Sequence, residues 1–247
     1  MLKPLFTATL AAFILLGAPN AQAEAFTDEQ KAELNKLFEA YIMENGGVLM
    51  QSVEQFQIAE QMRKVEEAKE NITKNADYLY NSDSPSFGPD DADVTIVEFF
   101  DYNCGYCKKA LTELQGVMDE DSKIKVIFKE MPILSPASLE AAKWALAAQK
   151  QDKYFEYHVA LMEFKGTKNE ATFKKVAEDL NLDIKKLEAD KESADIQEAI
   201  ETNIAKAGEM GIRGTPAFVI DGEFSPGYVP AAELKRMIAK VRESNNS

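Results

Sequence analysis

The chain has 247 residues, a formal net charge of −14 and a hydrophobic share of 45%. That content suffices for a real core, and the acidity argues against nucleic acid and anionic lipid as partners. With two cysteines and one histidine, a four-ligand zinc site cannot be built in one chain unless subunits share ligands.

The first residues read as a targeting segment. Lys3 gives a small positive start, "LFTATLAAFILLGA" an apolar stretch, and "AQA" ending at Ala23 a cleavage pattern. Residues 1–23 are therefore expected to be a signal peptide, with a mature protein from Glu24 in the periplasm and no membrane insertion afterwards. The rival, an uncleaved anchor, needs ~18 apolar residues in a row. A lipoprotein would need a cysteine at the cleavage point. Removing Lys3 takes the net charge from −14 to −15.

Residues 26–44 predict a helix with Leu34, Leu37, Phe38, Tyr41 and Ile42 on one face and a Thr27–Gln30 capping box. "NGG" at 45–47 breaks it. A second helix is predicted over 48–79, its apolar stripe running from Leu49 through Phe56, Met62 and Ile72 to Leu79. Its length of roughly 48 Å exceeds the ~26 Å of a compact domain of about 100 residues. A narrow stripe on so long a helix is the mark of a bundle or coiled-coil seam. Residues 24–80 are thus expected to be a helical oligomerisation extension, the alternative being that they fold back on the main domain.

"NSDSPSFGPDDAD", 81–93, is a linker or loop by composition. "VTIVEFF", 94–100, is a buried strand, followed by a helix opening with the cysteines and by a second strand over 123–133. Helices fill 136–207 in four or five pieces, one holding Trp144 as a core residue and one holding His158 as an ordinary helix residue. "TPAFVIDGEF" is a hairpin turning at Asp221–Gly222, and an amphipathic helix closes the chain. This order predicts an α/β fold for 81–247 with a helical insertion at about 136–207.

The cysteines stand three positions apart, as Cys104 and Cys107 in "DYNCGYC". As a staple, so short a loop would give only about 2 kcal/mol. As a metal site, two thiolates suit Cu(I) alone. As a redox pair they follow a buried strand and open a helix, where free amides and the dipole favour a thiolate at Cys104. Cys107, one turn on, is placed to resolve a mixed disulfide. This third reading is favoured. Glu98, six residues before Cys104, shares a strand face with Phe100 and is read as a buried acid beneath the thiols; the rival reading is a solvent-facing acid. Lys129 in the next strand is read as able to pair with it, against an exposed lysine. In "RGTPAF", Pro216 opens a strand, and the sequence leaves its isomer open.

"VTIVEFFDYNCGYCKKAL", "KVIFKEMPIL", "GIRGTPAFVIDG" and "GYVPAAELKRMI" together resemble the DsbA-like periplasmic thiol:disulfide oxidoreductases, closest to the ScsC type with its N-terminal helical extension. The resemblance implies a thioredoxin fold with an inserted helical domain, preceded by a helical stalk. It implies Cys104 as nucleophile, Cys107 as resolving thiol, Glu98 as buried acid and Lys129 as its neighbour. It also implies a cis-proline loop at Thr215–Pro216, which with Gly105 and Tyr106 would line the client segment. No cofactor is expected beyond the Cys104–Cys107 disulfide, and no resident metal. Gly105–Tyr106 departs from the Pro-His of strongly oxidising DsbA proteins, which puts oxidising power in doubt. With the stalk, this favours an oligomeric disulfide isomerase, dimer or trimer, over a disulfide donor or a Cu(I) carrier linked to copper tolerance. Expected partners are exported proteins with thiols or disulfides and a membrane redox partner.

Overall fold

The computed structural model describes residues 26–81 and 83–245, so the expected signal peptide lies outside the described residues. The chain divides into two units, one up to Ile58 and one from Ala59 onward.

In the first unit, α1 (Asp28–Glu44) starts at the expected capping box, with Gln30 N–H donating to the Thr27 hydroxyl and Thr27 N–H to Gln30 Oε1. No residue of α1 is buried, and Leu37, Phe38, Tyr41 and Ile42 face solvent. The break after it is shorter than "NGG" suggested, because α2 (Gly46–Lys74) begins directly after Asn45. Val48, Leu49, Val53 and Phe56 are likewise exposed.

In the second unit, the last turns of α2 behave differently. Met62 and Val65 are exposed, whereas Ala68 and Ile72 are buried. The predicted helix over 48–79 is two helices: Asn75 separates α2 from α3 (Ala76–Tyr80). Ile72 and Leu79 pack with Val97, Phe99, Ile127, Met131 and Val219 on one face of the sheet. Ile72 and Leu79, at the end of the expected extension, are thus part of the core.

The linker carries an element the composition hid. β1 (Ser86–Phe87) pairs antiparallel with β3 (Ile124–Glu130), which runs parallel to β2 (Val94–Phe100). Gly88 follows β1 with φ +113°, and a Cβ there would lie 2.4 Å from the Ile124 carbonyl oxygen, so only glycine lets the chain turn away so closely. On the far side of β2 come β4 (Ala217–Ile220) and β5 (Glu223–Pro226), joined through Asp221–Gly222, giving the order β1-β3-β2-β4-β5. β2 is central and buried almost throughout, hence its near-continuous apolar run.

Between β2 and β3 runs α4 (Gly105–Glu120), which packs its Ala110, Leu111, Leu114 and Val117 on the sheet face opposite Leu79. Five helices form the insertion: α5 (Pro136–Gln149), α6 (Tyr154–Glu163), α7 (Glu170–Asp179), α8 (Ile184–Asp190) and α9 (Ala194–Glu209). Trp144 is core, as expected, 1% exposed. The chain closes with α10 (Ala231–Asn245), whose Arg242 bridges Asp93 before β2 and Asp121 after α4.

Because Leu79 is wholly buried under the sheet, Leu79→Ala should cost about 2–5 kcal/mol in urea unfolding followed by tryptophan fluorescence. An unchanged midpoint would mean that residues 72–80 belong to a separable extension.

Candidate active site

A tight turn carries the chain from the end of β2 into α4. Cys104 N–H donates to the Asp101 carbonyl at 3.0 Å. The Asp101 carboxylate takes Asn103 N–H on Oδ1 at 2.7 Å and Leu134 N–H on Oδ2 at 3.0 Å. Asn103 Nδ2 donates to the Ser135 and Ser138 hydroxyls at 3.0 and 2.9 Å. Cys104 therefore sits as the N-terminal cap of α4 in extended conformation, where the first amides of the helix have no backbone partner.

The two sulfurs have unlike surroundings. Cys104 is 8% exposed and Cys107 0%. Burial pushes the Cys107 thiol well above the ordinary range, with Glu98 adding to the rise. The Cys104 thiol donates to the Thr215 carbonyl at 3.2 Å. The Thr215–Pro216 bond is cis, and Pro216 is buried beside β4. Gly105 and Tyr106 lie at the surface, with the Tyr106 ring 6.0 Å from that of Tyr228. Cys104, Cys107, Gly105, Tyr106, Thr215 and Pro216 thus meet at one end of the sheet, where Leu134, tied to Asp101, adds an exposed apolar side chain.

Glu98 lies inside. It is 1% exposed, and neither carboxyl oxygen has a hydrogen-bond partner. Its cross-strand neighbours are Phe128 on β3 and Phe218 on β4. Desolvation between these rings, helped by the Cys104 charge, raises its pKa to about 8.

Lys129 is not its neighbour. The register pairs Phe99 with Lys129 and Glu98 with Phe128, and side chains alternate across a sheet, so the lysine points to the opposite face. There its ammonium donates to the Tyr78 carbonyl and the Ser84 hydroxyl, both at 2.9 Å, and lies 4.0 Å over the Tyr78 ring. Burial lowers its pKa to about 7. It ties β3 to α3 and the chain that follows, and is no part of the thiol site. The sequence reading also passed over Asp101, although an Asp two residues ahead of an Asn is a common turn former. His158 lies in α6, as expected, where it is fully buried and in contact with Tyr102 of the turn.

Comparison with known proteins follows this geometry. A family model described as thioredoxin matches residues 80–240. A thioredoxin-like oxidoreductase from Silicibacter pomeroyi is 39% identical in crystal structure, covering 68% of this chain and 98% of its own, with a TM-score of 0.66. Proteus mirabilis ScsC in a transitional conformation is 27% identical, covering 88% of this chain and 97% of its own, with a TM-score of 0.63. A curated relative, a Na(+)/H(+) antiporter of Salinispora tropica, is 28% identical over 140 residues, 55% of this chain. The chain spans only 21% of that antiporter's length. Among the described residues no helix is long and apolar enough to cross a membrane.

The carboxyl of Glu98 lies above its ordinary value of 4.5 in the fold, so below pH 4.5 its burial carries no ionisation penalty. The cost grows as pH rises, because the unfolded chain ionises first, and levels off above pH 8. Glu98→Gln should thus be more stable than the parent by about 5 kcal/mol above pH 8 and equal to it near pH 4. It should also slow thiol oxidation by about 10²-fold, since an amide accepts no proton. Urea midpoints across pH and stopped-flow oxidation by glutathione disulfide check both.

Proposed function

The chain belongs to the thioredoxin family, and on that footing we propose that it is a thiol:disulfide oxidoreductase acting on exported proteins as an oligomeric disulfide isomerase. The observation that carries the redox reading is the asymmetry of the pair: one sulfur reachable at the start of α4, the other sealed one turn below it over an unpartnered carboxyl.

In this reading, a thiolate at Cys104 attacks a client disulfide. One client sulfur becomes bonded to Cys104, and the other leaves as a thiolate. Isomerisation follows when a client thiolate attacks this mixed disulfide and expels Cys104 unchanged. When the client stalls, Cys107 loses its proton, attacks Cys104 and releases reduced client, leaving the Cys104–Cys107 disulfide. Glu98 is the base for that proton. A membrane redox partner would then return the pair to dithiol. An extended client segment would lie along Thr215–Pro216 by strand-like pairing, with Tyr106 and Leu134 as apolar contacts.

The isomerase half rests on the extension. Large apolar side chains from Phe26 to Val65 face solvent in the single chain, and patches of that size mark association surfaces. We assign them to further copies of this chain, because the seam is narrow and flanked by paired charges such as Arg63 with Glu60. Holding several dithiols around one client raises their effective concentration.

Two experiments test this. Cys107→Ser should accumulate mixed disulfides through Cys104 that dithiothreitol releases; none in cell extracts would end the enzyme reading. Deleting residues 26–64, which spares Ala68 and Ile72 in the core, should give a monomer by sedimentation. That monomer should still reduce insulin but refold scrambled ribonuclease about tenfold more slowly or worse. A monomer that shuffles as well as the full chain would remove the isomerase assignment and leave the oxidoreductase.

A further inference from the structure

Beneath the turn that presents Cys104 lies a polar cluster that the thiol chemistry does not use. Tyr102, Glu130, Tyr154 and His158 are all buried, and come from the turn, the end of β3 and, for the last two, α6. The Tyr102 hydroxyl donates to Glu130 Oε1 at 3.0 Å and lies 3.1 Å from His158 Nδ1. Tyr154 donates to the same Glu130 oxygen at 2.8 Å. The His158 ring stands edge-on to Phe100, 4.7 Å between centroids, and 4.8 Å from Phe128.

With Tyr102 donating to Glu130, the tautomer that completes the chain carries hydrogen on His158 Nδ1. Burial holds the imidazole neutral, with a pKa of about 3. Glu130 is pushed far above the usual carboxyl range by desolvation, with Asp101 and Glu98 adding to the rise. Both hydroxyls reach Oε1, and Oε2 has no protein partner. Burial thus disfavours charge on both sides of the clamp. Four polar groups sunk in an aromatic core are costly beside an apolar set of equal volume. What they hold is one hydroxyl, two residues before Cys104.

We propose that Glu130 and His158 are positioning residues for Cys104, gripping the Tyr102 hydroxyl from β3 and α6 and so fixing the turn that aims the sulfur at the Thr215 carbonyl. Asp101 and Asn103 secure the same turn to residues 134–138; Tyr102 secures it to the floor. The inference rests on the reading of Cys104 as the attacking sulfur.

The two tyrosines provide a matched pair, because each donates to the same oxygen and only one belongs to the turn. Tyr102→Phe should slow alkylation of Cys104 by iodoacetamide and shift the equilibrium with glutathione, each by about tenfold. Tyr154→Phe should leave both within about twofold at a similar loss of stability. Glu130→Gln, whose amide oxygen still accepts both hydroxyls, should behave as the parent, whereas Glu130→Leu should behave as Tyr102→Phe. Equal shifts from both tyrosine variants, or a shift from neither, would overturn the proposal by reducing the cluster to ordinary core. Should Tyr102→Phe fail to fold, Glu130→Leu read against Glu130→Gln decides: a loss of reactivity of about tenfold in the first alone supports the clamp, and parental reactivity in both overturns it. Parent protein in which Cys104 is inert to alkylation would instead strike down the reading of Cys104 itself.

Discussion

The site depends on one constraint: a carboxyl group confined between two aromatic rings at the centre of the sheet. Glu98 has Phe128 on one side and Phe218 on the other because β2 pairs with β3 in parallel and with β4 in antiparallel, in a single register. The same register brings the end of β2 to the start of β4, and hence Cys104 to the Thr215 carbonyl. A slip of one residue would turn Glu98 to the other face and put Val97 or Phe99 beneath the thiols. Fold and chemistry are therefore fixed by the same set of strand pairings.

Around that constraint the surroundings of the two sulfurs diverge. Asp101 makes the turn rigid with two carboxylate bonds and one carbonyl bond. It leaves Cys104 at a helix start with slight exposure, against the Thr215 carbonyl, and drops Cys107 into the interior. A dry pocket disfavours charge on Cys107 and Glu98 alike. On the proposed function, this asymmetry would divide attack and resolution between the two sulfurs.

Much of this is legible in the sequence where the signal is local. β-branched runs bounded by turn formers gave β2, β3 and the Asp221–Gly222 hairpin, and helix spacing after two cysteines gave α4. Thr27 and Gln30 marked the start of α1. What escaped was long-range. Whether Lys129 shares a face with Glu98 depends on how two strands align, and alternation within each strand cannot reveal the offset between them. The apolar spacing of α2 continues unbroken from residues that face solvent to Ile72 and Leu79, which lie under the sheet, so no local mark shows where the extension ends. His158, alone in its class, showed no partner in sequence because Tyr102 and Glu130 meet it only through the fold.

The two-residue strand β1 has a wider consequence. Ser86 and Phe87 pair with Ile127 and Val126, Pro85 accepts Phe128 N–H, and Phe87 stacks on Phe155 at 3.7 Å. The outer rim of β3 is thereby occupied. A protein proposed to spend its working life against half-made, strand-competent chains at high local density is the kind most exposed to stray sheet growth. In that setting, what reads as a spacer rich in serine, proline and aspartate doubles as a guard rail, letting clients dock where the sulfur is and denying them the side of the molecule where they would stick.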